Sequence, residues 1–188
     1  MRKLALIAAL VAAPAMAQEE DGPGPNLVIN ITGEAVGRVV IDMFDEVAPA
    51  HVAQITALAE AGAYNGVVFH RVIDGFMAQT GDVEYGRLGG DMRRAGMGGS
   101  DLPNIPAEFS DIPYDRGIVG MARSQNPDSA NSQFFIMFRE GYFLNGQYTV
   151  VGRVIEGMGV VDAIKRGQGQ NGAVVGEPDL MQSVTVER

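Results

Sequence analysis

The chain offers few side chains for covalent or metal chemistry. It has no cysteine, and its two histidines are His51 and His70. A thiol nucleophile, a disulfide and a Cys-type zinc site are therefore excluded. No H-x-x-x-H or comparable spacing relates the histidines, so no metal site is assigned; His70, inside an apolar run, reads as a hydrogen-bonded structural residue. The notable local concentration is Phe69–Asp82 (FHRVIDGFMAQTGD), which brings a guanidinium, Arg71, close to a side-chain amide, Gln79, and to the large apolar Phe76 and Met77. Taken singly, Arg71 would most often serve an ion pair, and Phe76 and Met77 would pass as core. Phe134 and Phe135 are neighbours in another apolar run and must face opposite sides if it is a strand, so only one can line a site. Asp82, Glu108 and Asp128 read as turn and surface acids.

These residues must be positioned by a β-rich domain. Leu27–Ile31 and Arg38–Met43 form an opening hairpin around Gly33 and Gly37. Pro49 opens a helix whose Val52, Ile55, Leu58 and Ala59 recur at helical spacing until Gly62 stops it. Val67–Ile73 and Phe76–Thr80 flank the Asp74-Gly75 turn. Gly117–Arg123 and Ser132–Phe138 are further strand-like runs, Gly141–Gly146 a turn, Tyr148–Ile155 a strand, Val160–Lys165 a short helix and Ser183–Val186 a closing strand. Between them Gly81–Pro106 has no periodic pattern, and a loop of that length in a compact domain is commonly functional. Seven or eight strands and two helices, with 25 Gly and 9 Pro for turns, predict a barrel closed on itself.

Three stretches, Phe69–Asp82, Gly117–Arg123 continuing through Pro127–Ile136 (PDSANSQFFI), and Phe143–Gly152 (FLNGQYTVVG), closely resemble cyclophilins in order and spacing, and the likeness runs from Leu27 to Val186. The resemblance implies a mainly β fold, a closed eight-stranded antiparallel barrel capped by two α-helices. It implies peptidyl-prolyl cis/trans isomerisation without metal or cofactor. Arg71, Phe76 and Gln79 match the catalytic positions, with Arg71 placed to donate to the prolyl nitrogen. Met77, Phe135 and Leu144 match the proline pocket together with Phe76. Phe143 and Tyr148 match substrate-binding positions, and Ala122, Arg123 and Gln133 match the groove before proline, with the backbone mattering most at Arg123. Gly96–Gly99 matches a glycine loop bordering the outer groove. Phe143 stands where many eukaryotic members have tryptophan and Tyr148 where many have histidine, which implies weak cyclosporin binding at most.

The N-terminus carries Arg2 and Lys3, an apolar run Leu4–Ala13, and small residues at Ala15 and Ala17. This is the layout of a secretory signal peptide over residues 1–17, too short to span ~30 Å of hydrocarbon. A flexible acidic leader, 18–26, and one isomerase domain, 27–188, follow. Periplasmic localisation is expected. The net charge is −9, which disfavours nucleic acid and anionic membrane surfaces as partners. Expected partners are unfolded or folding polypeptides with X-Pro bonds, met by a monomer. A proline-peptide-binding chaperone or a scaffold with little turnover stays open as an alternative; Arg71 with Phe76 and Gln79 favours the enzyme, because a pure binder needs no cationic donor.

Overall fold

The computed structural model describes residues 21–188; the signal-peptide assignment and the first leader residues lie outside them. The described chain runs β1 (Asn26–Thr32), β2 (Gly37–Met43), α1 (Pro49–Glu60), β3 (Val67–Val68), β4 (Arg71–Ile73), β5 (Met77–Thr80), β6 (Ile118–Met121), β7 (Phe134–Met137), β8 (Val150–Glu156), α2 (Met158–Ala163) and β9 (Leu180–Glu187). Short 3₁₀ turns occupy Met92–Arg94, Pro127–Ser129 and Tyr142–Leu144. The fold is mainly β with two helices, as the sequence predicts.

The barrel expectation needs correction. The strands form one nine-stranded antiparallel sheet in the order β3-β9-β1-β2-β8-β6-β7-β5-β4, curved as an open half-barrel rather than an eight-stranded closed ladder. The run Val67–Ile73 is not one strand. Its first two residues pair with β9 (Val67 with Met181), and Arg71–Ile73 pairs with β5 (Arg71 with Gln79). Between them Phe69 donates its N–H to the Asp179 carbonyl, so the chain changes partner at Phe69-His70. β3 and β4, at the two ends of the sheet order, are joined by the chain and not by a ladder.

Alternation along the strands separates two apolar layers. Leu27, Ile29, Ile31, Val39, Ile41, Met43, Val119, Met121, Phe134, Ile136 and Val184 point into the main core with Val52, Ile55 and Leu58 of α1. Met77, Tyr114, Ile118, Phe135, Met137, Leu144 and Val150 form a second cluster on the opposite side of β5, β6 and β7. Phe134 and Phe135 thus fall into different layers, and burial of each such side chain stabilises by about 1.5–3 kcal/mol. Pro25 accepts from the Met43 N–H at 3.0 Å, laying the described leader residues along β2. Gly157, at φ +88°, starts α2; a Cβ there would lie 2.2 Å from the Arg38 carbonyl oxygen.

The start of α1 has Ala48 at its N-cap and no local side-chain cap. Glu108, which the sequence leaves as a surface acid, supplies one from a distance. Its carboxylate accepts from the N–H groups of Ala50 and His51 at 3.2 and 3.1 Å, and its Oε2 lies 2.6 Å from Nδ1 of the buried His51. Burial alone would push the Glu108 carboxyl up, but the bonds from the His51 ring and the two N–H groups outweigh it and hold it below its ordinary value. Glu108→Ala should cost about 2 kcal/mol at neutral pH, the loss of a cap plus an orphaned buried nitrogen. A depressed carboxylate stabilises above its unfolded-state pKa, and that contribution is lost as the pH falls through its lower folded-state value. Urea midpoints of parent and variant should therefore differ at pH 7 and converge in acid, below the ordinary carboxylate range near ~4. A constant difference down to pH 2 would remove the ionised cap.

Candidate active site

The hairpin β4–β5 is tight enough to set one polar pair by register alone. Arg71 lies opposite Gln79, and Arg71 Nη1 donates to Gln79 Oε1 at 3.0 Å. Gln79 is opposite Phe135 of β7, and Phe135 is opposite Gly120 of β6. These cross-strand neighbours carry the site across the sheet. A bulge in the β6–β8 pairing falls between Val119 and Gly120. Gly120 is required by close approach: a Cβ there would lie 2.4 Å from Tyr114 Oη and 2.5 Å from Phe135 Cζ. Without it the two rings could not stack beneath the groove as they do, centroids 5.8 Å apart and planes at 19°.

On this floor sits a cavity of about 260 Å³ lined by Arg71, Phe76, Met77, Gln79, Ala122, Arg123, Phe135, Phe143, Leu144 and Tyr148. Met77, Phe135 and Leu144 are buried. Phe143 is exposed and lies over Phe76, ring centroids 5.4 Å apart. Tyr148 meets Phe135 edge to face at 6.0 Å, and the Arg123 guanidinium stacks over Tyr148 at 4.3 Å. The Arg123 side chain also donates to the carbonyls of Ser124 and Gln147 at 2.8 and 2.7 Å. Its own backbone N–H and C=O pair with no other backbone group among the described residues, which leaves a strand-like edge open to a peptide.

A second, larger cavity of about 620 Å³ shares Gln79, Ala122 and Arg123 with the first and continues along Gly96–Ser100, Asn131 and Gln133. The two make one groove. Every site residue expected from the sequence lines it: Gln133 belongs to the larger part, the others to the apolar cup. The glycine loop Gly96–Gly99 borders the larger part.

Arg71 departs from its commonest role. Among the described residues no carboxylate pairs with it. Nε donates to the Asn171 carbonyl at 3.0 Å and Nη1 to Gln79, while Nη2 enters no protein hydrogen bond among the described residues. Burial pulls its pKa below the ordinary guanidinium value, partly offset by Tyr148, yet an arginine stays charged at neutral pH. Among the described residues the apolar cup thus has one uncommitted cationic donor at its mouth, and no serine, threonine or cysteine lines it. That arrangement can bind an apolar ring and stabilise an electron pair on an atom held against it.

His70 is a buried structural residue, and burial lowers its pKa against weaker opposing effects of Asp82, the Val68 backbone and the Gln133 side chain. A Cβ on Gly96 would meet its ring at 3.2 Å, so it serves as a packing surface for the loop. Two residues escape sequence reasoning. Asn171, in a glycine-rich turn, reaches the site because Val72 donates to the Gly172 carbonyl at 2.7 Å; only its Asn-Gly turn signal marks it. Asp82, read as a surface acid, is wholly buried.

Residues 27–186 match the family described as Cyclophilin type peptidyl-prolyl cis-trans isomerase/CLD. A protein of Brucella suis named probable peptidyl-prolyl cis-trans isomerase is 60% identical over 154 residues, covering 80% of this chain and 78% of that one. The crystal structure of a cyclophilin from Hirschia baltica superposes with a TM-score of 0.69 at 27% identity, over 88% of this chain and 74% of that one. A cyclophilin type isomerase of Cryptosporidium parvum, determined in the presence of the dipeptide Ala-Pro, shares the fold at a TM-score of 0.72 and 24% identity, over 87% and 99% of the chains.

Proposed function

We propose that in this chain, which belongs to the cyclophilin-type peptidyl-prolyl cis-trans isomerases, Arg71 drives X-Pro isomerisation by donating to the prolyl nitrogen while the Phe76–Phe135 cup holds the ring. The chain is a peptidyl-prolyl cis-trans isomerase. Rotation about a peptide bond is opposed by ~18–20 kcal/mol because the nitrogen lone pair is delocalised into the carbonyl. Before proline the two isomers differ by only about 0.5–1 kcal/mol, so both are populated but exchange slowly. The barrier falls if the twisted amide, whose nitrogen has recovered its lone pair, is bound better than either planar form.

Each part of the groove has a task in that scheme. The cup of Phe76, Met77, Phe135 and Leu144 takes the pyrrolidine ring out of water and favours the less polar twisted amide. Nη2 of Arg71 meets the pyramidalising nitrogen. Gln79 holds Arg71 through Nη1 and lies beside the substrate carbonyl. The open backbone edge at Arg123 pairs with the residues before proline, and the larger cavity receives their side chains. The observation that carries this reading is an arginine with no carboxylate partner among the described residues, half-buried at the rim of an apolar cavity.

The decisive test is cis/trans exchange in a short X-Pro peptide followed by NMR. Catalytic amounts of the purified protein should collapse the slow exchange regime. A folded protein without effect on the exchange rate would move the function to peptide binding or scaffolding.

Export completes the proposal: the enzyme acts as a monomer outside the cytoplasm on folding polypeptides, after cleavage behind Ala17. Mass spectrometry of protein recovered from the periplasm should find Gln18 as the first residue, and a chain still starting at Met1 would end that reading. Cyclosporin binds weakly at most, because Phe143 lacks an indole N–H donor at the rim. Phe143→Trp should tighten cyclosporin binding severalfold, worth about 1 kcal/mol for one hydrogen bond, in a calorimetric titration; unchanged affinity would clear Phe143 of responsibility.

A further inference from the structure

We propose that Asp82 is a positioning residue for the isomerisation, holding the Gly96–Gly98 turn so that one backbone carbonyl fixes both site glutamines behind Arg71. This rests on the roles proposed above for Arg71 and Gln79.

Three hydrogen bonds link the guanidinium to the loop. Arg71 Nη1 donates to Gln79 Oε1 at 3.0 Å, Gln79 Nε2 to Gln133 Oε1 at 2.9 Å, and Gln133 Nε2 to the Gly98 carbonyl at 2.8 Å. The two ends permit one orientation. An arginine only donates and a carbonyl only accepts, so each amide must turn its oxygen toward Arg71 and its nitrogen toward Gly98. Were either amide reversed, N–H would face N–H and two bonds would be lost. The relay is as firm as its far end.

That end is a turn without regular secondary structure, and Asp82 is what secures it. The carboxylate is wholly buried. Oδ2 accepts from the N–H groups of Gly96 and Gly98 at 2.7 and 3.0 Å, and Oδ1 from those of Glu84 and Tyr85 at 3.1 and 2.9 Å. One side chain thus ties both limbs of the loop that follows β5. A Cβ on Gly98 would lie 2.4 Å from Asp82 Oδ1, so the contact also requires glycine there. Charge-assisted bonds of this kind are about twice as strong as neutral ones.

Asp82→Asn preserves shape but must set an NH₂ group against one pair of N–H donors. It should lower turnover about 10- to 100-fold, the scale of a misplaced catalytic group, with peptide affinity within about twofold, since the apolar cup is untouched. The side-chain amide NMR signals of Gln79 and Gln133 should shift in the folded variant. Glu108→Ala, destabilised at a remote site, should leave turnover and those signals unchanged. Gln133→Met breaks the relay with Asp82 intact, so it should reproduce the loss even if Asp82→Asn does not fold, and the double variant should lose no more than either single. Parental turnover with unmoved amide signals in folded Asp82→Asn, or parental turnover in Gln133→Met, would overturn the proposal. An inactive parent, or an Arg71→Ala variant with full turnover, would instead overturn the functional reading, with Asp82 unaltered.

Discussion

Arg71→Ala should abolish most catalysis and leave the fold standing. Removing a donor that stabilises developing charge costs about 100- to 1000-fold in turnover, or about 2.7–4 kcal/mol. The protein itself loses little: the side chain is half-buried, has no carboxylate partner among the described residues, and gives up two hydrogen bonds, one to the Asn171 carbonyl and one to Gln79. The stability change should stay near ~1 kcal/mol. Arg71→Lys keeps the charge but lacks the planar fork that engages Gln79, Asn171 and a substrate nitrogen together, so it should recover little activity. Exchange NMR on the X-Pro peptide gives the rate, and urea denaturation gives the stability. Unfolding at much lower denaturant than the parent would make Arg71 a structural residue; full activity would remove it from the chemistry.

Phe135→Ala should damage stability and binding together. The ring is 6% exposed, stacked on Tyr114 and met edgewise by Tyr148. Truncation of a buried phenylalanine to alanine typically costs ~3–5 kcal/mol, the lost transfer energy plus a cavity. Here the void would open into the cup, because Phe135 forms part of its floor. Peptide affinity should fall as the apolar contact is lost, in contrast to Asp82→Asn. Chemical denaturation and peptide titration measure the two effects. Unchanged stability with unchanged affinity would place Phe135 outside the pocket.

The contrast between these residues and Asp82 shows which features local sequence carries. Arg71 and Gln79 sit in one hairpin, so their proximity is legible locally, but a two-residue Asp74-Gly75 turn would set Arg71 opposite Ala78, and only the three-residue loop 74–76 places it opposite Gln79. The assignment of Phe134 and Phe135 to opposite layers follows from the two-residue side-chain period. Asp82 is different: its sequence neighbours are those of an exposed turn acid, and its burial follows from the return of Gly96 and Gly98 across it. Glu108 likewise caps a helix that begins far upstream. The change of sheet partner at Phe69-His70 is equally silent, because Val67–Ile73 reads as one continuous strand-like run through His70 and Arg71, and either half could pair with either neighbour.

The sequence by itself determined the mainly β class, the two helices and the hairpin that presents Arg71, since each depends on periodicity or turn residues, while the residues of the apolar cup came through the resemblance of its long motifs to cyclophilins. The tertiary structure alone decided the open nine-stranded order, the joining of cup and larger cavity into one groove, the reach of Asn171 to Arg71, and the burial of Asp82 beneath the glycine loop. Those depend on which distant segments meet. A distant pairing is selected by the summed burial and hydrogen bonding of the whole sheet, not by the residues on either side of it.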